Sequence, residues 1–237
     1  QRSSDRPSSD AALNLMHAMR TAGTSDIAEV MVCMFGPTSD EYGLLHKGTR
    51  VRKMHSSYRS TFRTIGDIPL AMVNREKVTP IHKKYNKRRN DKNVKILPFF
   101  DERVTMLYYY PGMKPDTLDA LVDNGYKGIV WVGTGLGHVN KEMYPAIERA
   151  HKKGVHMYMT LQTIWGYVHM FVYDTGRDLM SMGIVPAENM LPEVAYIKLG
   201  WALGQSNDPQ VVRDLMLKPI AGEITDEIGR ASCRERV

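Results

Sequence analysis

The sequence has little cysteine: two residues, Cys33 and Cys233, in a chain of 237. Two thiols are too few for a disulfide framework or for a cysteine-rich metal site. Cys33 lies in the apolar run VMVCMFG, where a thiol ordinarily acts as a small, inert hydrophobic side chain. The composition therefore argues against the disulfide-rich secreted proteins and against the zinc-finger class.

Long apolar segments are also absent from the sequence. No run approaches the roughly 20 apolar residues that a membrane-spanning helix requires. The first residues, QRSSDRPSSD, lack the apolar core of a signal peptide. We therefore expect a cytoplasmic protein that makes no contact with membranes. The chain does not begin with Met, so we also expect its natural start to lie upstream.

Motifs of self-contained hydrolases are missing as well. The eight histidines are scattered, and no pair flanks a Glu at the i, i+4 spacing of a zinc protease. No G-x-S-x-G segment marks a nucleophile elbow. The turn GTGLGHVN, residues 133 to 140, has G-x-G-x-G spacing rather than G-x-G-x-x-G, which favours a tight turn over a dinucleotide site. If that turn follows a parallel strand, it lies where α/β proteins place ligands.

Basic residues are plentiful, and the formal net charge is +6. One cluster is HKKYNKRRNDKNVK, residues 82 to 95, which is typical of a solvated loop or of a surface that contacts RNA phosphates. The other is RVRKMHSSYRSTF, residues 50 to 62, where Lys53 precedes several hydroxyl side chains. A hairpin arm with outward cations explains this second stretch, but a lysine among hydroxyls can also assist a threonine nucleophile. The residues alone leave these alternatives open.

The apolar pattern predicts an α/β chain in two parts. Near the N-terminus we predict a helix after Ser8-Ser9-Asp10 with Leu13, Met16 and Met19 on one face. We then predict a buried parallel strand at 28–36, a hairpin at 43–54 that turns at Lys47-Gly48, and a strand pair or edge strand at 68–78. Beyond residue 104 strands alternate with helices, which indicates a parallel sheet with helices on its faces. The predicted segments are VTMLYYYPG, PDTLDALVDNG, GIVWVGTG, KEMYPAIERAHKKG, VHMYMTLQ and helices at 187–203 and 208–217.

Several of these segments carry a family resemblance. SSDRPSSDAALNL, AEVMVCMFG, RVRKMHSSYRSTF and PDTLDALVDNGYKGIVWVGTGLGHV resemble the amidohydrolases of the bacterial-type asparaginase family. VYDTGRDLMSMGIVP and ENMLPEVAYIKL are similar to the branch of that family that supplies ammonia to tRNA-dependent amidotransferases.

The resemblance implies an asparaginase-like α/β fold. Residues 1–90 are then the end of a larger, parallel-sheet N-terminal catalytic domain, and residues 91–226 are a smaller C-terminal α/β domain. Residues 227–237, EIGRASCRERV, do not resemble the rest of the chain, and we interpret them as a translated sequencing adapter.

The resemblance also implies a chemistry. In this family a threonine attacks the side-chain amide of the substrate, and a second threonine beside an aspartate forms a set with a lysine. Lys53 stands in the place of that lysine. The threonines would lie upstream of Gln1, so we expect a fragment that lacks the N-terminal half and is inactive alone. His138 and Asn140 are the candidate substrate-binding residues, presented to a neighbouring protomer's active site.

The same branch implies the partners. Glutamine would be the substrate, and an ATP- and Mg-dependent partner subunit would use the ammonia to convert Glu-tRNA(Gln) to Gln-tRNA(Gln). We expect no cofactor on this chain itself, and a homodimer within a heterotetramer. Two alternatives remain at this point: a free-standing L-asparaginase, and a non-catalytic RNA-binding module built around residues 82–95.

Overall fold

A computed structural model describes residues 1–36, 40–89 and 95–225. The chain forms two compact units, Gln1–Val94 and Lys95–Val237. The segment interpreted as adapter-derived, 227–237, lies outside the described residues. Within the described ranges, no helix is both long enough and apolar enough to cross a membrane.

Unit 1 combines one helix with short strands. Helix α1 and strands β1 to β6 span Ala11–Thr24, Met31–Phe35, Gly43–Lys47, Val51–Lys53, Phe62–Thr64, Ala71–Val73 and Val78–Pro80. Strands β1, β2, β5 and β6 form an antiparallel sheet in the order β1-β2-β5-β6, and β3 pairs with β4 in a separate hairpin. Leu45, Leu70 and Val73 lie in the small core under the sheet. The strand pair or edge strand predicted at 68–78 is a strand pair, β5 and β6, whose second strand runs beyond the predicted range to Pro80.

The parallel pairing predicted for residues 28–36 is wrong within the described chain. β1 pairs antiparallel with β2, from Met31 opposite Lys47 to Phe35 opposite Gly43. Only seven positions, 36 to 42, separate these two strands. A parallel pair needs a crossover of a dozen or more residues, so a short connection favours an antiparallel pair.

The hairpin predicted to turn at Lys47-Gly48 is also wrong. The chain does turn there, since the Arg50 amide donates to the Lys47 carbonyl at 2.9 Å and the Gly48 amide donates to the Val30 carbonyl at 2.8 Å. The turn passes the chain from one sheet to another, because β2 pairs with β1 and β5 whereas β3 pairs with β4. Lys53 therefore belongs to a different hairpin from the one predicted.

Helix α1 is confirmed, but its buried face is not the apolar one. Met16 and Met19 are 49% and 66% exposed, whereas Asn14, His17 and Thr21 are buried. The buried polar groups are partly satisfied locally, since the Thr21 hydroxyl donates to the His17 carbonyl at 2.8 Å. The spacing of apolar residues therefore predicted the helix, and the structure buries a polar face of it.

Unit 2 is a parallel sheet with helices on both faces, as predicted. Strands β7 to β10 span Val104–Tyr108, Gly128–Gly133, His156–Leu161 and Ile184–Pro186, in the order β10-β9-β8-β7. Helices α2 to α6 span Pro115–Asp123, Tyr144–Lys152, Asp174–Ser181, Pro192–Gln205 and Pro209–Leu217, and a 3-10 turn covers Lys141–Met143. The sequence pattern missed α4 and β10.

The central strand β8 shows why the unit has three layers. All of its residues are buried, so both faces of the strand must be covered. Ile129 and Trp131 pack into the cluster that contains α2, α3 and α4. Val130 points to the other side, into the cluster that contains α5 and α6. The carboxyl ends of β8 and β9 lead into the loops at 134–140 and 162–173.

Candidate active site

Lys53 is the last residue of β3 and lies opposite Phe62 of β4. Its side chain is exposed. In the part of the chain that the structure describes, the Lys53 ammonium forms no ion pair and no hydrogen bond. The position of the ammonium is therefore set by the hairpin backbone that carries it.

Thr61 closes that hairpin immediately beyond Lys53. The Met54 amide donates to the Thr61 carbonyl at 2.8 Å, and the His55 amide donates to the Thr61 hydroxyl oxygen at 2.8 Å. The same hydroxyl donates its hydrogen to the His55 carbonyl. Thr61 is only 3% exposed, so these bonds are shielded from water. Thr61 therefore holds together the start and the end of the connection between β3 and β4.

His55 orders the exposed tip of the connection. Its Nδ1 accepts hydrogen bonds from the backbone amides of Ser57 and Tyr58, each at 3.1 Å. Because both bonds need a lone pair on Nδ1, they assign the ring hydrogen to Nε2. The hydroxyls of Ser56 and Ser57 form no bond to Lys53 within the described ranges.

The basic stretch around Lys53 is not uniformly solvated. Arg50 is fully buried, and the Arg59 guanidinium lies 4.5 Å from the centre of the Phe35 ring while it pairs with Asp40. Arg52 lies opposite Arg63 across the hairpin. Lys53 therefore lies at the end of a structured cationic hairpin, which favours a developing negative charge nearby.

The loop after β8 carries the other predicted site residues. His138 Nδ1 lies 3.0 Å from the Thr175 hydroxyl, and the ring meets Tyr173 edge-on at 5.5 Å between centroids. Burial lowers the pKa of His138, so its imidazole is neutral at neutral pH. Its Nε2 is buried and has no hydrogen-bond partner among the described residues. Asn140 is exposed and precedes the 3-10 turn.

The structure places His138 and Asn140 in one loop of unit 2, and Lys53 in unit 1. Sequence reasoning missed the roles of His55 and Thr61 in shaping the Lys53 hairpin. It also missed Thr175, the partner of His138. For His55 and Thr61, the only signal in the sequence was that they lie close to Lys53. For Thr175 there was no signal in the sequence, because this residue lies far along the chain from His138.

The basic run at 82–95 is partly engaged with the segment around the end of α1. Lys87 Nζ lies 3.7 Å from Asp26, and the Arg88 guanidinium donates to the Ala22 carbonyl. Lys83 and Lys84 are both exposed, and residues 90–94 lie outside the described ranges. Among the described residues, no group of three or more His, Cys, Asp and Glu side chains is arranged to hold a metal ion.

Comparison with known proteins defines the class. A model of the N-terminal asparaginase domain matches residues 1–86, and a model of the glutaminase/asparaginase C-terminal domain matches residues 103–216. The chain belongs to the glutaminase/asparaginase family, as the sequence resemblance indicated.

Several similar curated proteins carry a more specific name, the D subunit of a glutamyl-tRNA(Gln) amidotransferase. The chain is 54% identical to the protein of Thermococcus kodakarensis over 226 residues, 95% of this chain and 51% of that protein. It is 50% identical to the protein of Pyrococcus abyssi over 225 residues, 95% of this chain and 51% of that protein. The protein of Methanothermobacter thermautotrophicus is 47% identical over 234 residues, 99% of this chain and 53% of that protein. The chain spans about half the length of the curated relatives it matches.

Two solved structures confirm the fold. The thermostable L-asparaginase from Thermococcus kodakarensis matches with a TM-score of 0.81 and 29% identity, over 93% of this chain and 64% of that one. L-asparaginase I from Vibrio cholerae matches with a TM-score of 0.79 and 24% identity, over 93% of this chain and 65% of that one. The asparaginase-like α/β fold that the sequence predicted is thus confirmed.

Proposed function

We propose that this chain is part of the glutaminase component of a tRNA-dependent amidotransferase, which converts Glu-tRNA(Gln) to Gln-tRNA(Gln). One observation carries the proposal: 54% identity to the D subunit of an amidotransferase over 95% of the chain. The similar L-asparaginase structure is 29% identical. Because the identity to that L-asparaginase is lower, 29% against 54%, a free-standing asparaginase is the weaker alternative. A purely RNA-binding module is not favoured, because both halves of the chain match amidohydrolase domains.

Lys53 is the proposed catalytic residue of this chain. In the chemistry that the family implies, a threonine of the full-length protein attacks the amide carbon of glutamine. Ammonia leaves, and water hydrolyses the acyl-enzyme. A hydroxyl is a weak nucleophile until a neighbouring group takes its proton or stabilises its alkoxide. The exposed Lys53 ammonium at the end of a cationic hairpin is suited to stabilising the alkoxide by its charge, or to donating and recovering a proton in a relay.

The remaining assignments follow from the same proposal. His138 and Asn140 would contact substrate in the active site of a second copy, within a homodimer that forms half of a heterotetramer. The bond to Thr175 and the edge-on contact with Tyr173 would hold the His138 ring in that loop. Glu-tRNA(Gln), ATP and Mg would be bound by the partner subunit, and this chain would need no cofactor. The complex would work in the cytoplasm.

The proposal is tested in the full-length gene product, assembled with its partner subunit. Ammonia release from glutamine is measured with and without Glu-tRNA(Gln). Lys53→Ala should reduce the rate by about 10²- to 10⁴-fold, the range for loss of a proton-transfer group. Lys77→Ala, at an exposed turn of unit 1, is the matched control and should leave the rate unchanged.

Two results would overturn the assignment. Full activity in Lys53→Ala would remove Lys53 from the mechanism. A preference for asparagine that neither tRNA nor the partner subunit alters would instead identify a free-standing asparaginase.

A further inference from the structure

The Lys53 ammonium has no side-chain partner in the part of the chain that the structure describes. A catalytic lysine on a long, flexible stem needs its backbone held firmly when, as among the described residues, no other contact limits where its charge lies. The strand pairing supplies part of that restraint. Val51, Arg52 and Lys53 pair with Thr64, Arg63 and Phe62, and the ladder reaches its end at Lys53.

Beyond that end, one threonine continues the restraint. Thr61 Oγ1 accepts the His55 amide at 2.8 Å and donates to the His55 carbonyl, while the Thr61 carbonyl accepts the Met54 amide at 2.8 Å. The two residues that follow Lys53 are therefore both bound to Thr61. Without the Thr61 hydroxyl, the restraint on the backbone would end one residue after the lysine.

The His55 ring also restrains the connection between β3 and β4, at its exposed tip. Its Nδ1 accepts two backbone amides, from Ser57 and Tyr58, which fold the tip back over residue 55. The side chain of His55 is exposed, so its contribution to the core is small. The bonds of Thr61 and the two bonds of the His55 ring thus close the connection immediately next to Lys53.

We propose that Thr61 and His55 are positioning residues for Lys53, holding the end of β3 so that the ammonium meets the reacting hydroxyl. The proposal rests on the proposed function, since it takes Lys53 as the catalytic lysine. Neither residue touches substrate in this scheme. Each acts through the backbone of residues 53 to 55.

The kinetic consequence differs from that of a folding role. A displacement of about 1 Å at a catalytic group can cost about 100-fold in rate. If Lys53 acts only in the transition state, its misplacement lowers kcat and leaves KM nearly unchanged. A residue that merely stabilised the fold would lower the melting temperature and the yield, but not kcat per folded molecule.

The experiment uses the full-length gene product with its partner subunit and two matched pairs of variants. Thr61→Val removes the hydroxyl at nearly constant shape, whereas Thr61→Ser keeps it. His55→Ala removes the δ acceptor, whereas His55→Asn keeps an acceptor at the same position, since Asn side chains bond amides two residues on. We expect Thr61→Val and His55→Ala to lower kcat for glutamine hydrolysis by about 10- to 100-fold with KM within about twofold. We expect the conservative variants to restore kcat to within about threefold of the wild type.

The decisive comparison is made in the Lys53→Ala background. If Thr61 acts through Lys53, adding Thr61→Val to Lys53→Ala causes no further loss, because residues that act as a unit are not additive. A full additional loss in that background overturns the proposal, as does an unchanged kcat in both Thr61→Val and His55→Ala. Should Thr61→Val fail to fold, the exposed His55 pair decides alone. Activity retained in Lys53→Ala would instead refute the proposed function, so the two failures are distinguishable.

Discussion

His46 Nδ1 lies 2.8 Å from the hydroxyl oxygen of Thr64, which ties β2 to β4 in unit 1. His46 is 1% exposed, and its Nε2 has no hydrogen-bond partner among the described residues. Burial, and then the charge of Arg63, lowers the pKa of His46 to about 4. The folded protein therefore holds a neutral imidazole where the unfolded chain, with a pKa near 6.5, would bind a proton.

The first prediction is that His46 makes the chain less stable in mild acid. Between pH 6.5 and 4 the unfolded state binds the extra proton, so stability present above pH 6.5 is lost as the pH falls towards 4. The loss is on the order of 3 kcal/mol, from about 1.36 kcal/mol per unit of pKa difference. Urea unfolding at a series of pH values from neutral to mildly acidic measures it. His46→Gln should have a shallower pH dependence, and identical profiles for both proteins would contradict the prediction.

The second prediction concerns the buried ion pair of Lys198 and Glu223 in unit 2. Lys198 is 7% exposed and Glu223 is 2% exposed. The Lys198 ammonium also donates to the carbonyls of Met216 and Lys218, at 2.9 and 2.6 Å. Burial lowers the pKa of Lys198, and its bond to Glu223 opposes that shift. The pair fastens the segment after α6 to α5.

Lys198→Met should destabilise the chain by about 3–5 kcal/mol, because it leaves the Glu223 carboxylate buried without its cation. Thermal and urea unfolding measure the change. Lys152→Met is the control: Lys152 lies 3.9 Å from Glu148 on the surface of α3, and its loss should cost less than about 0.5 kcal/mol. Equal losses of stability in the two variants would contradict the stabilising role of the buried Lys198–Glu223 pair.

The third prediction compares two glycines at equivalent places in two helices of 14 residues. Gly23 and Gly204 are each the penultimate residue of their helix, α1 and α5. A Cβ on Gly204 would fall against the Phe99 backbone, whereas a Cβ on Gly23 would meet nothing within 4 Å. Gly204→Ala should therefore destabilise the chain by about 1–3 kcal/mol through overpacking. Gly23→Ala should stabilise it by about 0.5–1 kcal/mol through helix propensity. Urea unfolding of the two variants measures both effects, and effects of the same sign would refute this interpretation.

The sequence was a good guide to unit 2 and a poorer guide to unit 1, for a physical reason. The strands and helices of unit 2 are long enough for their periods to be read, and β8 is a continuous buried run. In unit 1, strands such as β3 and β4 have three residues each, too few to show a period. The pairing of such short strands depends on contacts with residues that lie elsewhere in the sequence.

The candidate site shows the same limit more sharply. The position of Lys53 could be recognised only through its resemblance to a family, since a lysine among hydroxyls has no distinctive spacing. The hairpin around Lys53 was assigned to the wrong partner strand, because the turn at Gly48 was mistaken for a hairpin turn. The bonds of Thr61 to His55 could not be predicted until that register was known.

The fourth prediction concerns Cys33, for which the sequence predicted a place in a buried strand. The structure places it in β1 at the edge of the sheet, partly exposed. Burial nevertheless raises the pKa of its thiol to about 11. At a pH of about 8 the thiolate fraction is then about 0.1%, against roughly a quarter for an ordinary thiol with a pKa near 8.5.

Alkylation of Cys33 by iodoacetamide at a pH of about 8 should accordingly be slower than that of free cysteine by about 200-fold, because only the thiolate reacts. Mass spectrometry of the peptide that contains Cys33 measures the rate, with Cys33→Ser to identify its signal. In urea the same peptide should react at the rate of free cysteine, which separates the effect of folding from that of local sequence. A folded-state rate equal to the rate in urea would show that the edge of the sheet does not shield the thiol.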